Sequence, residues 1–299
     1  MPNLRALAQD TVLYCPRLTS QVADGVSGDG LMITTCGLLP LMEGSACLLY
    51  GKNAYPSWGH LFDISSVLSA TGPTWNIYEV LENSGFTEFL EPAHIDITDG
   101  STYWLDAELF DCLKQNSPRL KEDKSIAFYA LTMSSHTPFG TIKSVEGLEL
   151  SEDLPGTLRR YMTCLSYLDS CFGDWWQYAH ANGLLDNTVV VVTGDHTVFK
   201  QTLTHWFMPA AQRNGLSSFG ETNYCPLIVY SPEIKERKVV EEVCYEMDVY
   251  PTILGQVGGE QYPWQGFGAD LMKDTIVRPM DRYSARYLSD KLIRGNWFK

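Results

Sequence analysis

Short unbroken apolar runs alternate along this chain with stretches in which apolar positions recur every three or four residues. The clearest run is Thr188-Val189-Val190-Val191-Val192-Thr193, β-branched throughout, opened by Asp186-Asn187 and closed by Gly194. It predicts a fully buried strand that ends at Asp195-His196. Ile126 to Leu131 predicts a second buried strand, running into Ser134-Ser135-His136-Thr137-Pro138-Phe139. Pro226 to Tyr230 predicts a third, and Thr11 to Tyr14 a short fourth. Helical spacing is longest from Leu158 to Ala181, where Leu158, Met162, Leu165, Leu168 and Phe172 share one face and Gly183 stops the helix. Shorter helices are predicted over Leu4–Ala8, from the Gly/Ser/Asp-rich loop 23–30 toward Cys36, over Trp75–Asn83 with Gly85 just past its end, and over Asp106–Lys114 and Met247–Gly255. Strands alternating with helices predict an α/β fold, a central and mostly parallel sheet enclosed by helices on both faces. The weakly patterned tail from Asp270 onward predicts a small C-terminal appendage.

Composition narrows the function. With 44% hydrophobic and 12% aromatic residues in 299, the chain has the material for a large packed core. A formal charge of −14 excludes a nucleic-acid binder, since no basic stripe is available to neutralise phosphates. A phosphorylated small substrate stays open, because a bound metal reverses the local field. No apolar run reaches the length of a membrane span and no signal peptide opens the sequence. Met1-Pro2-Asn3-Leu4 instead starts within a helical pattern, so the chain is expected to be soluble and a piece of a longer protein. The eight cysteines contain no CxxC pair, which argues against a zinc knuckle or a thioredoxin-like site. Most read as small buried hydrophobes.

Three segments carry candidate chemistry. Asp195 and His196 stand where a buried strand ends, and ligands collect beyond the carboxyl ends of strands in open α/β sheets. A carboxylate beside an imidazole suits a borderline divalent cation. Ser27 lies in Gly25-Val26-Ser27-Gly28-Asp29-Gly30, where glycines let the backbone approach an anion and a helix N-terminus favours negative charge. His136 follows the second strand among small polar residues and a proline. Each has a plainer reading: Asp195 as a cap, Ser27 in a flexible turn, His136 in the core.

Taken in order, these segments resemble the alkaline-phosphatase/sulfatase superfamily. They are most similar to the extracytoplasmic catalytic domain of lipoteichoic acid synthases and related phosphotransferases. Met1 to Ala8 resembles that group's opening helix, Gly25 to Gly30 its nucleophile loop, and Trp75-Asn76 with Gly85-Phe86 its substrate-side segment. Ser134 to Phe139 resembles its His-containing turn, and Tyr167-Leu168-Asp169 through Gly194-Asp195-His196 its metal-binding block. Pro226 to Pro232 and Asp248 to Thr252 resemble its last two motifs.

The resemblance implies a catalytic domain over 1–272 that lacks its N-terminal strand, and a tail or small lobe over 273–299. It implies Ser27 as nucleophile and metal ligand, and Asp195 and His196 as further ligands. His136 would contact the phosphoryl group or protonate the leaving oxygen, with Trp75 and Asp29 also on the substrate side. The implied cofactor is a divalent metal, Mn²⁺ first, with Zn²⁺, Mg²⁺ or Ca²⁺ as alternatives. The implied activity is phosphotransferase or phosphodiesterase on a phospholipid head group or cell-envelope polymer, at the extracytoplasmic face of a bacterial membrane, with the full-length protein anchored upstream. Sulfate-ester hydrolysis on the same fold, and a catalytically incomplete binding domain, are the alternatives. Three departures matter. Ile77 stands where the synthases have an Arg that can grip phosphate. The family's remaining carboxylate ligand lies just before the opening helix, upstream of Met1. The formylglycine signature of arylsulfatases is missing, since Cys15-Pro16-Arg17 has the wrong spacing.

Overall fold

Residues 1–91, 103–198, 224–234 and 236–299 are described in the structure, a computed structural model. The apolar runs form strands as expected, and the described strands fall into two sheets. In the first, β2 (Ile64–Ser69) lies between β3 (Glu88–Leu90) and β4 (Ile126–Leu131), all parallel. In the second, β1 (Leu13–Thr19), β5 (Val190–Thr193), β6 (Cys225–Tyr230) and β7 (Lys238–Val239) follow the order β5-β6-β1-β7, and β8 (Cys244–Tyr245) also pairs with β1. β6 runs antiparallel to β1 and β5, whereas β7 and β8 run parallel to β1. The α/β architecture is as expected, with its strands mostly but not purely parallel.

Side-chain alternation along the strands sorts the helices into layers. Val67 of β2 enters a core with Leu31 and Ile33 of α2 (Ser27–Cys36), Val80 of α4 (Ile77–Glu82) and Tyr250 of α7 (Val249–Gln256). The next residue, Leu68, enters a second core with Leu109 of α5 (Asp106–Asn116) and Phe172 and Trp175 of α6 (Gly156–Ala181). Helices therefore cover both faces. α1 (Pro2–Gln9) is pinned to α6 by Asp169, whose carboxylate accepts the N–H groups of Asn3 (3.0 Å) and Leu4 (2.8 Å). Two segments that sequence resemblance linked are thus a structural clamp. α3 (Ala46–Tyr50) borders α2, and within the tail α8 (Arg282–Arg294) sends Ala285 and Ile293 into the first core.

Two boundaries and one burial pattern differ from the sequence pattern. β1 continues past Tyr14 through Pro16, which is tolerated because its register with β6 shifts between Cys15 and Leu18, where a residue without an N–H is not missed. The helix expected from Trp75 starts at Ile77, because Trp75 and Asn76 adopt φ of 56° and 59°. β5, expected to be fully buried, is only half-buried along its length. The cause is an open edge: among the described residues β5 bonds only β6 and β4 bonds only β2. Both edges border one cleft of about 1700 Å³, with Met1 and Leu4 also on its wall.

Candidate functional site

The expected loop 23–30 is cut short, for α2 already begins at Ser27. Val26 before it has φ 46° and ψ −115°, a conformation a β-branched residue rarely takes, and it turns the chain sharply into the helix. Ser27 occupies the first helical position and is 8% exposed, at the helix end that favours an anion. Gly28 and Gly30 are helical, and packing explains them better than flexibility. A Cβ on Gly30 would lie 2.1 Å from the Asp195 carbonyl oxygen, and one on Gly28 3.0 Å from Cys47 Sγ. Gly30 thus seats the Asp195 main chain against α2, one turn beyond Ser27.

Asp29 faces away from the cleft. Its Oδ2 accepts the N–H groups of Ala23 and Gly25, both at 2.9 Å, so it shapes the loop that presents Ser27. Ile77 is also turned inward, into the first core.

At the end of β5, Asp195 Oδ1 accepts the His196 N–H at 3.0 Å, and Oδ2 lies 3.8 Å from His196 Nε2. His196 Nδ1 is 2.8 Å from the Thr197 carbonyl oxygen. A carbonyl only accepts, so Nδ1 carries the proton and Nε2 holds the lone pair, the tautomer a metal ligand needs. His136 repeats the device, with Nδ1 2.7 Å from the Thr137 carbonyl. Its turn is fixed from α5, where buried Asp106 accepts the Met133 (2.8 Å) and Ser134 (3.0 Å) N–H groups while its own N–H donates to Ser134 Oγ. The indole of Trp75, 38% exposed, has its ring 6.2 Å from the His136 imidazole. Ser27, Trp75, His136, Asp195 and His196 therefore line one cleft, and Asp29 does not.

Two buried carboxyl groups, Glu246 and Asp29, lie behind the site, outside the cleft lining. Glu246, 1% exposed, accepts the Gln21 N–H at 2.8 Å and the Ser20 hydroxyl at 3.3 Å through Oε2. Its Oε1 and Asp29 Oδ1 are buried without a hydrogen-bond partner among the described residues. Burial pushes Glu246 up to about 8, and the charges of Asp195 and Asp29 add to the rise. Burial also raises Asp29, and it lifts Cys225 to about 12 with help from Glu246 and Asp195. Among the described residues lining the cleft, Lys124 is the single lysine or arginine. The carboxylates that line the cleft, Glu122, Asp195 and Glu233, repel a phosphodiester unless a cation is present. The Ser27 hydroxyl, Asp195 carboxylate and His196 imidazole fit a borderline divalent ion in type, so the residues present suit the metal that the sequence implies. The set is incomplete: no three His, Cys, Asp or Glu side chains among the described residues group closely enough to hold one. Sequence reasoning missed Asp106 and Glu246, because each acts on a segment remote in the chain.

A pH effect follows from Glu246. Its folded-state value of about 8 lies above the ordinary 4.5, so the native chain keeps a proton that the unfolded chain has released between those values. Stability is therefore full below about pH 4.5 and falls as pH rises through 8. Glu246→Gln is expected to flatten that slope and to raise the metal-free melting temperature above pH 8 by several degrees, at roughly 2–4 °C per kcal/mol for a domain of this size. Thermal unfolding of both proteins across pH is the check, and an unchanged slope in the variant would put the titration on another group.

The geometry can be set beside known proteins. A family model described as Sulfatase matches residues 69–259. Lipoteichoic acid synthase 1 of Bacillus subtilis (strain 168) is 25% identical over 305 residues, covering 96% of this chain and 47% of that protein. The chain thus spans about half the length of the curated relatives it matches. The fold is similar to that of the lipoteichoic acid synthase LtaP from Listeria monocytogenes, with a TM-score of 0.77 at 18% identity, covering 99% of this chain and 85% of that one. It is also similar to the Streptococcus pyogenes phosphoglycerol transferase GacH in complex with sn-glycerol-1-phosphate, with a TM-score of 0.63 at 15% identity, covering 99% and 76%.

Proposed function

Since this chain belongs to the sulfatase family, we propose that it is a metal-dependent phosphotransferase acting on a phosphoglycerol-bearing phospholipid or cell-envelope polymer at the extracytoplasmic face of a membrane. The observation that carries this reading is the convergence of Ser27, His136, Asp195 and His196 on one cleft whose only described lysine or arginine is Lys124. An acidic, hydroxyl-bearing pocket suits an anionic substrate only with a cation between them. The names of the relatives, lipoteichoic acid synthase and phosphoglycerol transferase, support the substrate class.

In this reading Ser27 Oγ attacks phosphorus in line, and the bond to the leaving oxygen breaks. The Ser27 proton passes through solvent to the free Nε2 of His136, which delivers it to the departing alkoxide. An acceptor hydroxyl or water then attacks the phospho-Ser27 ester and frees the serine. Trp75 packs against the glycerol portion beside His136. A cation held by Ser27, Asp195 and His196 would polarise the nonbridging oxygens and lower the serine pKa. Its remaining carboxylate is the one the resemblance implies upstream of α1. The cleft between the open edges of β4 and β5, bordered by Met1, suits a strand arriving from there.

Metal and substrate together test the proposal. The 299-residue chain and a version extended upstream through the implied carboxylate are titrated with Mn²⁺, then incubated with phosphatidylglycerol. The extended version should bind Mn²⁺ roughly 10–100-fold more tightly, the usual effect of restoring support to a metal site. Its Ser27 peptide should gain a phosphoglyceryl group detectable by mass spectrometry. Metal binding with no adduct and no turnover in either protein would leave a binding domain that kept the fold and lost the chemistry.

A further inference from the structure

We infer that α3 and α8 form a docking face for an anionic membrane surface, which holds the catalytic cleft against the lipid that carries its substrate. The inference rests on the lipid-substrate reading for its purpose and on separate observations for its existence.

The first observation is charge. Residues 279–299 carry five basic side chains against two acidic ones, in a chain whose formal charge is −14, while Arg278 just before them is ion-paired to buried Asp248. The body of the molecule is repelled by an anionic surface, so this segment sets which side approaches one. The second is the build of α8. Ala285, Ser289 and Ile293 are buried, and Ser289 Oγ donates to the Leu39 carbonyl at 2.7 Å, so the inner stripe is fixed to the body. The outer stripe presents Tyr283 and Tyr287, 73% and 58% exposed, and each ring has a cation over it: Arg282 at 5.0 Å and Lys291 at 5.3 Å. Aromatic bodies with polar tips, interleaved with basic groups, suit the headgroup layer. No described helix is long and apolar enough to cross a membrane, so contact here is with the surface.

The third observation is position. Arg294 donates to Tyr50 Oη at 3.0 Å and joins α8 to α3, where Leu48 and Leu49 are 63% and 60% exposed. Two adjacent leucines that open form an apolar patch that gains stabilisation when something apolar covers it. The preceding residue, Cys47, donates its thiol to the Gly28 carbonyl at 3.4 Å, and Gly28 follows Ser27. The leucine pair thus follows directly on the contact that packs α3 against the first turn of α2, outside the cleft lining, and inserting it to headgroup depth brings the Ser27 end of α2 toward the bilayer.

Vesicle sedimentation of the metal-free chain tests this without turnover. The chain should bind vesicles of phosphatidylglycerol and phosphatidylcholine, bind pure phosphatidylcholine far less, and release at high salt. Arg282→Glu/Lys291→Glu should weaken anionic-vesicle binding by more than ~25-fold, at about five-fold per surface charge removed. Leu48→Ser/Leu49→Ser should weaken it at least ten-fold while the melting temperature holds. Wild-type binding by either double variant, or no binding by the wild type, overturns the inference. So does a leucine variant unaffected on vesicles while a soluble glycerol-phosphate polymer competes fully, which would make the face a polyanion site. In the Mn²⁺-loaded extended version, both variants should turn over a water-soluble phosphodiester at the unmodified rate. Vesicle binding without turnover therefore sinks the transferase reading alone.

Discussion

Ser27→Ala is expected to lower phosphoryl transfer by the Mn²⁺-loaded, upstream-extended protein on the order of 10³-fold or more, as loss of a covalent nucleophile does. No phosphoglyceryl adduct should form. The hydroxyl sits on the first residue of α2, 8% exposed, and the Val26 turn holds it there at φ 46°. Alanine keeps that backbone and helix start, so the melting temperature should move little. Metal affinity should fall as well, because the same oxygen is a proposed ligand, whereas vesicle binding through α3 and α8 should not. Turnover of phosphatidylglycerol, followed by headgroup release, is the measurement. Activity within ten-fold of the parent would assign the attack to water, and Ser27 would then be a ligand without being the nucleophile.

What the sequence made legible was local. The β4 limits, Ile126–Leu131, coincide with its apolar run, because nothing in that run competes with a strand. The Asp195-His196 and His136 turns were legible for the same reason, each being set by its own strand end. β5 begins two residues later than its β-branched run, at Val190. Thr188 there closes the turn that follows α6 instead, its hydroxyl donating to the Leu184 carbonyl at 2.6 Å. β2 was invisible because Ser65, Ser66 and Ser69 are polar yet buried. Their partners, among them the Gly59 carbonyl and the Glu88 carboxylate, exist only once the chain is folded. Asp106 and Glu246 were missed on the same ground. Asp106 reaches Ser134 across 28 residues and Glu246 reaches Gln21 across 225, distances at which no spacing rule operates. α8 escaped notice because its inner stripe is Ala285, Ser289 and Ile293, too small and polar to register as an apolar face.

His136→Ala is expected to reduce turnover of phosphatidylglycerol by roughly 10²–10⁴-fold, the range for a lost acid–base group. Stability should be nearly unchanged. The ring is half-buried and bonds its own neighbour's carbonyl, while the turn is held from elsewhere, by Asp106 on Met133 and Ser134. With Nδ1 protonated toward Thr137, Nε2 is the nitrogen that exchanges protons with substrate, and Trp75 beside it limits the directions from which substrate approaches. The leaving group separates the two roles open to this residue. An alkoxide from diacylglycerol needs a proton as it departs, whereas a nitrophenolate does not. If His136 is the general acid, the alanine variant should lose most of its rate on phosphatidylglycerol and little on a nitrophenyl phosphodiester. Equal losses on both would mean that the imidazole binds the phosphoryl oxygens in the transition state, and the proton would then come from solvent. A variant that simply unfolds would return His136 to the core, against the geometry of a turn clamped independently of its ring.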